Sequence, residues 1–142
     1  MKRHKWSRAL AFVGAVVVLQ ACSDDAQRTD VLRPTDDAGT LAVSLSAPAP
    51  DVGAVSFTLT GGEVSKLRAA GDGVEIFTTS AGAGWRVAVV GEGLSGALVR
   101  FDVADRAAAR ASLVVELDEV ANDRNEVVGD LAGYTVRVVG VN

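Results

Sequence analysis

Residues 39–142 read as an all-β domain, an antiparallel β-sandwich built from two sheets. Three observations predict it. β-Branched and aromatic residues alternate with small or polar ones in short segments, the period of a half-buried strand. Clusters of Gly, Pro and Asp punctuate those segments at short intervals. Only two stretches carry a composition suited to a helix, and both are brief.

The elements follow in order. Leu41, Val43 and Leu45 open the alternation, and Val55, Phe57 and Leu59 repeat it. Val74, Ile76 and Phe77 mark a third segment, and Trp85–Val90 (WRVAVV) a fourth. Ala97, Val99, Phe101 and Val103 alternate again. Leu113, Val115 and Leu117 do likewise, with Val114 and Val120 nearby, and Tyr134, Val136 and Val138 close the chain. Turn signals separate them at Pro48–Asp51, Gly61-Gly62, Gly71–Gly73, Gly82–Gly84 and Gly91–Gly96. Glu63–Ala70 suits either a turn of helix or an irregular strand. Ala104–Ala111 (ADRAAARA) has good helix formers, but its place between strands equally suits a surface loop. Seven or more short strands at this spacing imply two stacked sheets.

The N-terminus is a different kind of segment. Lys2, Arg3, Lys5 and Arg8 precede an unbroken apolar run, Ala9–Leu19, which ends in Leu19-Gln20-Ala21-Cys22. A basic start, a short apolar stretch and a small residue at the cut site make a secretory signal over residues 1–21. The apolar run is short of the roughly 20 residues needed to span a bilayer. Leu-x-Ala-Cys closely resembles the bacterial lipobox. That resemblance implies cleavage between Ala21 and Cys22, lipidation of the Cys22 thiol and attachment to a membrane. Ser23 in the following position leans towards the outer membrane in a didermal cell. Residues 22–38 then form a polar, acidic tether, too poor in apolar side chains to order itself.

Composition excludes several chemistries. The leader carries four of the 14 basic residues and none of the 18 acidic ones, so the remaining chain is formally −8. Such a domain repels phosphate backbones, and no nucleic-acid partner is expected. The only Cys is Cys22 and the only His is His4. A processed chain therefore has no intrachain disulfide, no Ser-His-Asp or Cys-His catalysis, and no His- or Cys-ligated metal. No cofactor is expected, and the domain reads as non-catalytic.

In order of features, residues 39–142 resemble a cohesin domain. The resemblance rests on Val55–Ala70 (VSFTLTGGEVSKLRAA), on Trp85–Val103 (WRVAVVGEGLSGALVRFDV) and on Glu116–Val138, with its Asp/Asn turn before the last strand. It implies a jelly-roll-like sandwich of nine strands, shortened here, and a role in binding or scaffolding. The related carbohydrate-binding modules fit the same pattern. No dockerin-contacting residue can be matched, so none is carried over. Partners implied are the membrane, through the lipid, and an envelope protein or polysaccharide.

Candidate sites are few. Asn122, Asp123 and Asn125 gather oxygen atoms in one turn, as calcium requires, with Asp102 and Asp105 in another loop. Neither has full EF-hand spacing, and a solvated turn is the simpler reading. Trp85 and Tyr134 are candidates for a sugar-stacking platform. Only five aromatics follow the leader (Phe57, Phe77, Trp85, Phe101 and Tyr134), and their strand positions assign them to the core. Glu116, Asp118 and Glu119 could supply the paired carboxylates of a small hydrolase, although acidic residues on a solvated sandwich face are far commoner. Gly91-x-Gly93-x-x-Gly96 formally matches a dinucleotide fingerprint. A strand rather than a helix follows it, so it reads as a hairpin connection.

Overall fold

The computed structural model describes residues 37–141. The leader, the Ala21–Cys22 cleavage site and nearly all of the tether lie outside the described residues.

Eight strands and one helix make up the domain: β1 (Gly39–Ser46), β2 (Val52–Thr60), β3 (Ser65–Ala69), β4 (Glu75–Ala81), β5 (Gly84–Val90), β6 (Gly96–Val103), α1 (Arg106–Ser112), β7 (Val114–Asn122) and β8 (Thr135–Gly140). They form two four-stranded sheets. Sheet I has the order β3-β6-β1-β8, and sheet II the order β4-β5-β2-β7. All pairings are antiparallel. The chain changes sheet at every connection except the β4–β5 hairpin. It is thus an all-β sandwich, as the alternation predicts.

Period two explains most of the core. Leu41, Val43 and Leu45 of β1, with Val55, Phe57 and Leu59 of β2, face inward and are fully buried. Val87 and Val89 join them from β5, and Phe101 and Val103 from β6. No polar or charged side chain is buried among the described residues. This layer is purely apolar and owes nothing to buried ion pairs.

Three departures from strict alternation have physical causes. In β6, Val43 pairs with Val99 but Ser44 pairs with Ala97, so Leu98 is an extra, bulged residue. The bulge turns Leu98 and Val99 both inward and leaves Ala97 exposed, where simple alternation had placed Ala97 inside. In β7, Ser56 pairs with Glu119 and Phe57 with Leu117, so Asp118 is extra and the inward residue moves to Val120. In β4, adjacent Ile76 and Phe77 cannot both face inward on a regular strand. Ile76 packs against the core, and Phe77 is 58% exposed. The expectation of a buried Phe77 is therefore corrected.

The two ambiguous stretches resolve differently. Glu63–Ala70 yields β3, an irregular strand in which Lys66 adopts φ 51°. Ala104–Ala111 yields α1, capped by Asp105, whose carboxylate accepts from the Ala108 N–H at 2.9 Å. One turn demands glycine: Gly61 has φ 87°, and a Cβ there would sit 2.1 Å from the Ser112 carbonyl oxygen.

The strands alternate direction, so the sandwich has two distinct ends. At one, the base, lie Asp37, the β2–β3 and β4–β5 turns and α1. At the other, the tip, lie the β1–β2, β3–β4, β5–β6 and β7–β8 connections. The chain enters at the base. Arg106 fixes that point: its guanidinium donates to the Asp37 carboxylate, and its N–H to the Asp37 carbonyl at 3.0 Å.

Phe101 is fully buried in the centre of sheet I. Phe101→Ala is expected to lower unfolding free energy by about 3–5 kcal/mol, read by urea denaturation. A loss under about 1 kcal/mol would mean that the sheets are not close-packed there.

Candidate functional site

A concavity of about 930 Å³ lies at the tip and is open to solvent. Four separate connections line it. They bring Asp51, Asp72, Glu92 and Asp123 to one acidic cleft, beside Asn122 and Asn125. Gly53 lets β2 and β7 approach closely at its edge, since a Cβ there would lie 2.6 Å from the Asn122 carbonyl oxygen. No basic residue is among the described residues that line it, so these walls present a negative potential to an incoming partner.

The structure thus gathers Asn122, Asp123 and Asn125, the calcium candidates, on one wall. Asn122, however, is occupied with its own turn. Its Oδ1 accepts from the N–H groups of Arg124 at 3.0 Å and Glu126 at 2.9 Å, and its Nδ2 donates to Glu126 Oε2 at 2.8 Å. Asn125 takes φ 62° to close the same loop. Among the described residues, no three acidic, His or Cys side chains are grouped closely enough to hold a metal. Asp102 and Asp105 sit towards the base, away from this turn.

The aromatic candidates are not brought together. Trp85 is the second residue of β5, at the base, and Tyr134 precedes β8 at the tip. Both are half-buried and pack against the core. Trp85 also borders a smaller recess of about 420 Å³ with Glu63, Ser65 and Asp102. A coplanar stacking surface built from Trp85 and Tyr134 is therefore not formed.

Glu116, Asp118 and Glu119 share the outer face of sheet II, because Val115 and Leu117 point inward and the bulge at Asp118 resets the parity. Asp118 is engaged there: Thr58 Oγ1 donates to it at 2.9 Å, and Arg86 Nε lies 3.4 Å away. The glycines of Gly91–Gly96 lead directly into β6, with Gly93 and Gly96 at positive φ. They form a strand connection, with no helix N-terminus to receive a phosphate.

Sequence reading missed one polar cluster. On the outer face of sheet I, Asp102 accepts from Thr40 Oγ1 at 2.9 Å and from Arg68 Nη2 at 3.0 Å, and Lys66 Nζ lies 3.6 Å away. The Arg68 hydrogen bond, then that of Thr40, hold the Asp102 carboxyl below the usual carboxylate range. The only signal in the sequence is alternation, which puts Asp102 opposite in parity to Phe101.

No protein-family model matches the chain, and no curated protein or solved structure matches it.

Two predictions follow from this geometry. Asn122→Ala removes two acceptor bonds from the tip turn and is expected to cost about 1 kcal/mol while raising amide exchange at Arg124 and Glu126. Unchanged exchange at both would show that the side chain does not hold the turn. For Asp102, a depressed folded pKa means stabilisation that is present above the unfolded pKa and lost as pH falls through the folded one. Asp102→Asn should therefore melt below the native chain at neutral pH, with the gap closing in strong acid. A gap constant with pH would refute the ionic account.

Proposed function

We propose that this chain is a membrane-anchored, non-catalytic binding or scaffolding lipoprotein of the bacterial cell envelope. The observation that carries the reading is the separation of the two ends. The polypeptide joins the domain at Asp37, pinned to Arg106 at the base, while the acidic cleft opens at the tip. A lipid on Cys22 would thus pull on the end opposite the acidic cleft, where the described residues form only the smaller recess beside Trp85. The 16 residues 22–37 reach at most about 55 Å when extended. That length sets a surface module clear of lipid headgroups without letting it diffuse away. Cys22 is also the only thiol available for acylation. Ser23 favours the outer membrane in a didermal host.

The cleft supports binding better than catalysis. Its walls are loops carrying carboxylates, carboxamides and glycines, with neither a His nor a thiol. Acidic walls suit a partner with exposed Lys or Arg, such as a basic patch on another envelope protein. Envelope polysaccharide is less well served, because Trp85 and Tyr134 occupy opposite ends.

Cys22→Ser should move the protein from the membrane to the soluble fraction and abolish metabolic palmitate labelling. Continued labelling would sink the anchor. Separately, residues 23–142 used as bait on native envelopes should capture a stoichiometric protein that is lost with Asp72→Lys and Glu92→Lys together. A partner retained by that variant would show that the cleft is not the docking surface.

A further inference from the structure

The two outer sheet faces carry opposite charge. On sheet I, register puts Arg68 opposite Arg100 and Arg137 opposite Ser44, all facing outward with Lys66. Asp102 is the one carboxylate among them. On sheet II, Glu75, Glu116, Asp118 and Glu119 face outward, and Arg86 is the one cation. Among the described residues, each face therefore carries four charges of one sign and one of the other.

Many of these charges lack a partner. Asp102 engages Lys66 and Arg68, and Asp118 engages Arg86. Among the described residues, Arg100 and Arg137 form no ion pair, and neither do Glu75, Glu116 or Glu119. Arginines directly opposed on neighbouring strands repel, so the Arg68–Arg100 pair gains from an external anion. The acidic face also has an apolar part. Phe77 and Val90 are exposed there, next to the small residues Ala54, Ala88 and Ala121.

We propose that the basic outer face of sheet I docks against the acidic outer face of sheet II of a second copy of this chain. Charge complementarity selects this occupant, since the unpaired carboxylates that match Arg100 and Arg137 stand on the chain's own opposite face. The contact is heterologous, so each copy keeps one free face of each kind and assembly runs on in a row. Four strands about 4.8 Å apart and some seven residues tall give a footprint of about 450 Å² per face. Two such faces bury roughly 900 Å², below the standard size of a stable complex, so each contact is weak. Association then depends on local concentration, which tethering to a common surface would supply. That last point alone rests on the proposed anchor; the contact itself does not.

The test uses residues 23–142, which retain every core residue from Leu41 to Val138, in sedimentation velocity. At ionic strength near 0.1 M the Debye length of about 10 Å screens the repulsion between net-negative copies but leaves contact pairs intact. Mass should rise towards twice the monomer as concentration approaches about 1 mM, and return to monomer near 1 M salt, where screening reaches about 3 Å. Arg100→Glu with Arg137→Glu should stay monomeric. So should Glu116→Arg with Glu119→Arg. Mixing these two variants, or combining all four changes in one chain, should restore association. A native chain that stays monomeric throughout would overturn the proposal, as would association indifferent to charge reversal. Should the monomeric native chain instead bind a polyuronate through Arg100 and Arg137, the face would belong to an acidic polymer, and the self-docking proposal would fall.

Discussion

The fold depends on one dry layer between two sheets. No disulfide is available to it, no buried ion pair crosses it among the described residues, and its largest members, Phe57 and Phe101, are fully enclosed. Packing density has to do alone what cross-links do in smaller secreted domains. Phe57 sits on β2 and Phe101 on β6, so the two rings belong to different sheets and hold them together. The central strands β1 and β2 each pair on both sides. Losing apolar volume between them would therefore loosen six strands at once.

That requirement decides the parity of every strand, and parity decides what solvent sees. The bulges at Leu98 and Asp118 are where this trade is visible. One turns an additional Leu inward, and the other brings Asp118 and Glu119 outward together before Val120 returns to the core. The acidity of one outer face is thus partly a by-product of how β7 keeps both Leu117 and Val120 against Phe57 and its neighbours. Polar groups on the other face organise around Asp102, which has Thr40 and Arg68 within hydrogen-bonding distance.

Period-two alternation makes most strands legible in the sequence, because a half-buried strand leaves its burial pattern in the order of side chains. Leu41–Leu45 and Val55–Leu59 are plain cases. Phe77 misled because hydrophobicity reports what a residue is suited to, whereas its neighbour Ile76 had already taken the inward position. Leu98 was hidden because a bulge is a property of pairing, and a single strand read alone does not contain it. The acidic cleft was half visible: Asn122, Asp123 and Asn125 are adjacent in sequence, but Asp51, Asp72 and Glu92 reach them only through the topology. Net charge concealed the basic face entirely, since summing over the chain erases the segregation that strand register creates.

Base, tip and faces consequently have different physical roles. The base is where the polypeptide enters and where α1 and Arg106 secure it. The tip is composed of connections, which tolerate change in sequence without disturbing the layer beneath. The outer faces are rigid, being the reverse sides of strands whose inner sides are locked by packing. A loop cleft is thus suited to a partner that varies, and a sheet face to a repeated contact of fixed geometry. Were the proposed anchor to attach the chain at the base, both faces would stand upright from the supporting surface, and copies docked as proposed would meet side by side. The proposed docking face and the tip cleft would meet at Val90, which belongs to both, while the acidic walls of the cleft lie on the connections beyond it.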